Sequence, residues 1–255
     1  MVEDGGGGAS QPPPTFTTST NLPLAARAAK RSYVRSMFTA IAPRYDLLNH
    51  LLSLNVDRSW RRAAVRRLAW ERRPDGTYLD LCAGTLDLAA TLARARGFRG
   101  RVLGADFVIP MLARGKGKAP GVRPVGADAL ALPFADARFD GAMVAFGVRN
   151  LADLDAGLRE AHRVLRPGAR FVVLEFTTPH FGPLRALYLF YFRRVLPAIG
   201  RAVSKHRDAY TYLPESVLDF PDPIALARRL EGAGFTNVGY EILTGGICAV
   251  HHGTR

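Results

Sequence analysis

Three carboxylates recur at matching places along the chain: Asp80 in "LDLCAGTLDLA", Asp106 in "VLGADFVIPML" and Asp128 in "GADALALPF". Each ends or follows a short apolar run of strand character, so each is expected at a sheet edge. An ionised carboxylate only accepts hydrogen bonds, and at a strand end it can take them from sugar hydroxyls, an amino group or an ammonium. The alternative for each is a structural cap. Beside the first lies Gly84, the one glycine of a turn that runs from strand into helix. It lets the backbone bend sharply and come close to a ligand. A pyrophosphate would need a longer glycine loop whose amides surround two phosphates, and Leu86 stands where such a loop would want glycine. The expected ligand is therefore nucleoside-like and free of phosphates. Asp106 would take the ribose hydroxyls, Asp128 the adenine amino group, and Asp80 would orient the turn or a methionine ammonium. S-adenosylmethionine is the common ligand of that description.

The elements that must hold these residues follow from hydrophobic periodicity. Strands are expected at 78–82, 101–105, 123–127, 140–146 and 170–176, with helices at about 87–96, 108–117 and 151–165. A helix at 222–232 precedes two closing strands near 235–243 and 246–252, which a "GG" turn makes antiparallel. This alternation predicts an α/β, doubly wound parallel sheet, and with the three carboxylates at consecutive strand ends it points to a Rossmann-like, class I S-adenosylmethionine-dependent methyltransferase fold. Its seven-stranded sheet is mostly parallel with an antiparallel last strand, under an N-terminal helical lid. The lid would run over 29–73 after a low-complexity tail at 1–28, and the methyltransferase domain over 74–255 with a helical insertion at about 180–218. Within the lid, helix begins near Lys30, with Val34, Met37, Phe38 and Ile41 on one face and Pro43 as its stop. "YDLLNHLLS" reads as a second short helix. A third, "DRSWRRAAVRRLAW", has Asp57 as N-cap, an apolar stripe of Trp60, Ala64 and Leu68, and arginines 61, 62, 66 and 67 on its other faces.

Composition sets the outer limits. The chain has 255 residues and is 48% hydrophobic, enough for one α/β domain plus an appendage. Its formal charge of +13 points to a polyanionic neighbour. Two distant cysteines, Cys82 and Cys248, argue against a zinc site or a disulfide framework and for a reducing cytosol. No secretory signal and no uncharged run long enough to cross a bilayer is expected.

The chain resembles the ubiquinone/menaquinone biosynthesis C-methyltransferases over about residues 34–254. The likeness is carried by "MFTAIAPRYDLLNHLLSLNVDRSWRR", "LDLCAGTLDLA", "DALALPFADARFD", "FGVRNLAD", "HRVLRPGARFVVLEF", "YTYLPES" and "GFTNVGYEILTGGICAVH". It implies methyl transfer from S-adenosylmethionine to a ring carbon of a polyprenylated hydroquinone. The family's cofactor contacts fall on Thr85, Asp106, Asp128 and Ala129. The serine usual just before "FG" is Ala145 here, so one hydrogen bond near the cofactor is missing or replaced. Leu86, "DFVIPML" and "DFPDP" favour demethylmenaquinol over the ubiquinone precursor. The ring carbon becomes nucleophilic when a neighbouring hydroxyl is an aryloxide. Arg149 is expected to stabilise that oxyanion, Asn150 to orient a water or the second ring oxygen, and Tyr45 to close over the ring. The bland alternative pairs Arg149 with a carboxylate such as Asp153 and makes Asn150 the cap of a helix beginning at Leu151.

Of the histidines, His162, His251 and His252 read as structural or surface residues, and His50 as close to the lid. Tyr210 and Tyr212, after His206 and Asp208, read as pocket or core. The substrate's prenyl tail implies a bilayer, and "LRALYLFYFRRVLPAIG" has the amphipathic composition to touch one. An anionic membrane surface is the expected partner, at the cytoplasmic face, with a homodimer or quinone-biosynthesis complex also compatible. Nucleic acid is disfavoured: no Asn-Pro-Pro-aromatic or Pro-Cys motif is present, and the arginines are dispersed. A methyltransferase-like fold that only binds lipid or a partner protein is a second rival, kept open by Leu86 and Ala145, and a small-molecule methyltransferase of another substrate class is a third.

Overall fold

The computed structural model describes residues 23–46, 53, 55–195 and 208–255. His50, His206, most of the expected helix at "YDLLNHLLS" and residues 196–200 lie outside them, as does the side chain of Tyr210. Helix α1 (Leu24–Ile41) leads to α2 (Asp57–Arg67). The alternating part then runs β1 (Thr77–Leu81), α3 (Asp87–Ala93), β2 (Arg101–Asp106), α4 (Ile109–Gly115), β3 (Val122–Gly126), β4 (Phe139–Ala145), α5 (Leu154–Val164) and β5 (Leu165–Phe176). After it come α6 (Gly182–Phe190), α7 (Asp208–Leu218), α8 (Pro223–Gly232), β6 (Thr236–Leu243) and β7 (Cys248–Thr254).

The seven strands form one sheet in the order β3-β2-β1-β4-β5-β7-β6. Only β7 runs antiparallel to its neighbours, pairing Phe176 with Cys248 on one side and Leu243 with Cys248 on the other. The order reverses between β1 and β4, which opens a crevice at their carboxyl ends. Side chains alternate along each strand and bury both faces. Leu79, Leu81, Val144, Phe171 and Val173 pack with α5 and α8; Tyr78, Val102, Met143, Val172 and Val250 pack with α2 and α3.

Four local expectations are corrected. Helix α1 starts at Leu24, ahead of Lys30 and inside the tail expected through residue 28, because "AARAA" after Pro23 supplies strong helix formers. Asp57 is not the N-cap of α2; it sits inside the first turn, where its carboxylate takes Ser53 and the Arg61 guanidinium. Arg61 accordingly is buried rather than on a solvated face. Strand β5 begins at Leu165, not residue 170, because Gly168 at φ +79° carries the chain through the Pro-Gly step without ending the strand. Pro43 stops α1 as expected, in a 3-10 turn at Ala42–Arg44.

Candidate active site

The turn after β1 is built from left-handed residues at every second position: Cys82 (φ +49°), Gly84 (+51°) and Leu86 (+65°). A side chain at Gly84 would meet only the Met111 methyl at 3.6 Å, so this side of the turn faces open space. Leu86 bears the cost of a left-handed backbone and recovers it through burial. Its side chain is fully buried and points below the turn, where the glycines at 104 and 115 leave room for it. The residue that departs from a glycine loop therefore belongs to the core and leaves the ligand side of the turn clear.

Asp106 braces this turn. One carboxylate oxygen accepts the Gly84 N–H at 2.8 Å and the other the Val108 N–H at 2.8 Å. Burial raises its pKa, and the backbone donors of Val108, Gly84 and Phe107 oppose the rise. Asp128 accepts the Leu130 N–H at 3.0 Å and pairs with Arg31 of α1 at 2.8 Å. Asp80 lies beneath the turn, fully buried, accepting the Ala89 N–H at 2.9 Å. Burial pushes its pKa up to about 8. Of its two expected roles, orienting the turn is the one its hydrogen bond serves. Thr85 donates to Asp46 at 2.5 Å, and Lys118 joins Asp46 to Asp87.

A cleft opens over these strand ends. Gly84, Asp106, Asp128, Ala129 and Ala145 line it together with Tyr45 and Asn150. Asp80, Thr85 and Arg149 stand behind its walls. Ala145 offers no donor, and its neighbour on the wall is Cys82. The far wall is the "FGVRN" turn. Phe146 is left-handed at φ +58°, and its carbonyl accepts Arg149 Nη1 at 2.6 Å and Asn150 Nδ2 at 3.4 Å. Gly147 follows because a Cβ there would lie 2.4 Å from Cys82 Cβ. Asn150 Oδ1 accepts the Tyr212 hydroxyl at 3.1 Å, whose pKa burial pushes up to about 12.

Of the two bland alternatives for this turn, Arg149 does pair with a carboxylate, and the Asn150 cap is overturned, since the helix begins at Leu154 with Asp153 as its cap. Arg149 pairs with Glu175 at 2.7 Å, not Asp153. Asp153 is the cap of α5, accepting the Ala156 N–H, and it also binds Arg27 of α1. Helix α1 thus touches the site at Arg27, at Lys30, whose Nζ donates to the Arg149 carbonyl at 3.3 Å, and at Arg31. Burial lowers the pKa of Lys30 to about 8, with Asp219 opposing. Sequence reasoning missed Arg27, Lys30, Arg31 and Glu175. The one signal for Glu175 was an acid ending the most apolar strand of the chain. His251 is a core residue, its ring 2.9 Å from the Pro223 carbonyl and its pKa lowered by burial to about 4. His162 packs edge-on against Phe235.

Residues 26–255 match the ubiE/COQ5 methyltransferase family. The demethylmenaquinone methyltransferase of Thermus thermophilus is 52% identical, over 86% of this chain and 100% of its own length. That of Deinococcus radiodurans is 45% identical, over 94% and 99%. A ubiquinone/menaquinone biosynthesis C-methyltransferase of Geotalea daltonii is 42% identical, over 89% and 97%. Among solved structures, a Thermotoga maritima S-adenosylmethionine-dependent methyltransferase superposes with a TM-score of 0.60 at 18% identity, covering 86% of this chain and 98% of that one. The cyclase SpnF superposes at 0.64 and 15%, covering 87% and 94%. At such identities these two speak for the fold alone. With the sheet order, the cleft at its reversal and relatives alike from end to end, the chain belongs to the ubiE/COQ5 methyltransferase family.

Proposed function

We propose that this methyltransferase moves the methyl group of S-adenosylmethionine onto a ring carbon of demethylmenaquinol. The observation that carries the reading is the shared cleft. Acceptor carboxylates Asp106 and Asp128 line it together with Tyr45 and Asn150. Asp106 takes the Gly84 and Val108 N–H groups on separate oxygens, with Phe107 as a further backbone donor, and its remaining acceptor capacity suits a ribose hydroxyl. Asp128 Oδ1 likewise keeps capacity for an adenine amino group. The open space where Gly84 lacks a side chain admits the ligand closely, and Ala129 and Ala145 add small apolar walls.

When bound, S-adenosylmethionine supplies an electrophilic methyl group. The chain's own task is to make the ring carbon nucleophilic and to keep water out. Arg149 remains a cation: burial opposes its charge, but Glu175, Tyr45 and Tyr212 outweigh it and raise its pKa. A fixed cation behind the wall favours a ring aryloxide without acting as a base. Asn150 is held by Tyr212 and the Phe146 carbonyl, so its amide presents a fixed edge to the cleft. Phe38 packs edge-on against Tyr45, and with Val34, Val108 and Met111 it gives the cleft a dry side.

Demethylmenaquinol is favoured over the ubiquinone precursor by the names of the relatives and by Leu86 and the stretch Asp219–Pro223. The test is incubation with labelled S-adenosylmethionine and an equimolar pair of the two demethylated quinols. Label predominantly in the naphthoquinol supports the reading, and label in the benzoquinol moves it to the ubiquinone branch.

The proposed location is the inner face of the cytoplasmic membrane, bound peripherally. Phe181, Leu187 and Phe190 on and beside α6 are each at least 60% exposed, flanked by exposed Arg185 and Arg194. Apolar side chains ringed by arginine suit an anionic bilayer surface, and the formal charge of +13 has the right sign. Among the described residues no helix is long and apolar enough to cross a membrane. Cosedimentation with anionic vesicles at low salt, lost in Leu187→Glu/Phe190→Glu, is the expected result; wild-type chain left in the supernatant refutes the location.

A further inference from the structure

Behind the cleft, against Arg149, lies a buried carboxylate to which the reaction as drawn gives no positioning role. Glu175, next to last in β5, is 2% exposed. Its Oε1 accepts Arg149 Nη1 at 2.7 Å and the Phe176 N–H at 2.9 Å. The same Nη1 reaches the Phe146 carbonyl at 2.6 Å, the acceptor also used by Asn150. The guanidinium sits 5.5 Å from the Phe176 ring centre. Among the described residues Glu175 is the carboxylate that pairs with Arg149, and through it Glu175 is joined to the turn that bears Asn150. A buried guanidinium without such a partner would be driven from its place, since it keeps its charge and an uncompensated ion is costly in a dry interior.

We propose that Glu175 is a positioning residue for methyl transfer: it fixes Arg149 against the Phe146 carbonyl, and through that carbonyl sets the edge that Asn150 turns to the ring. The inference rests on the proposed quinol-methylating activity. It separates from the cofactor-binding half, because Glu175 touches neither Asp106 nor Asp128 and lines no wall of the cleft.

The experiment is a double-mutant cycle on the full chain with demethylmenaquinol, using Glu175→Gln, Arg149→Ala and the double variant. Glu175→Gln is expected to lower kcat about 100-fold while KM for S-adenosylmethionine changes less than about 2-fold. In the Arg149→Ala background the same change should cost less than about 3-fold, because a residue that acts through Arg149 has nothing left to position. Losses that multiply, or a Glu175→Gln enzyme within about 3-fold of wild type, overturn the proposal. If Glu175→Gln does not fold, Glu175→Asp decides. It keeps the charge but shortens the reach, so kcat should fall about 10-fold at unchanged KM, and unchanged kcat is the refuting result. Wild-type chain inactive on every quinol would instead refute the activity itself.

Discussion

The two halves of the cleft are held by different kinds of contact. On the cofactor side, Asp80, Asp106 and Asp128 are braced by backbone N–H groups of Ala89, Gly84, Val108 and Leu130. On the ring side, the polar groups are braced chiefly by residues distant in sequence: Arg149 by Glu175, Asn150 by Tyr212, and the Arg149 carbonyl by Lys30. A carboxylate on backbone donors is placed by the strand and turn that carry it. A side-chain pair is placed only when two remote elements have already packed. The cofactor half is therefore held chiefly by backbone donors of the sheet-edge turns, with Arg31 and Asp46 added from afar, and the ring half chiefly by remote side-chain pairs.

Substitutions can break this contrast. The largest effect is expected for Arg149→Ala, with kcat down roughly 1000-fold and the Kd for S-adenosylmethionine within about 3-fold, measured by turnover and calorimetry. Loss of cofactor binding in that variant would mean that the halves are not separate. Asp106→Asn is the mirror case. Its amide would set a donor against either the Gly84 or the Val108 N–H, and Kd should rise about 100-fold by calorimetry, with kcat at saturation nearly kept. A smaller effect tests the turn itself. Leu86→Gly relieves a left-handed leucine but empties the space beneath it, for a net loss of about 2 kcal/mol in urea unfolding. Equal or greater stability would show that the leucine is not what fills that space.

The mildest effect at neutral pH concerns the cap. Lys30 titrates at about 8 folded against 10.5 unfolded, so between those values the unfolded chain holds more protons and stability rises with pH. Wild type should gain urea resistance relative to Lys30→Met from about pH 8 to 10. Parallel curves for the two proteins would place Lys30 in water rather than against the Arg149 carbonyl.

The same contrast explains what was legible in the sequence. All seven strands and the antiparallel β7 follow from apolar runs and turn residues, which act locally. Asp106, Asp128 and Gly84 were readable because strand ends place them. Asn150 and Arg149 came from the likeness to a family, and their partners could not be read at all. Nothing near Glu175 in sequence announces Arg149, and nothing near Asp128 announces Arg31. Arg61 was misassigned for a related reason: helical spacing places it beside exposed arginines, and only packing reveals the buried Asp57 and nearby Asp87 that compensate it.

The most direct measurement is carbon NMR of the quinol product formed with S-adenosylmethionine carrying a ¹³C-methyl group. The account predicts one enriched signal, an aryl C-methyl on the naphthoquinol ring. Enrichment at an O-methyl position, or no enriched quinol while the chain still binds S-adenosylmethionine, would contradict it.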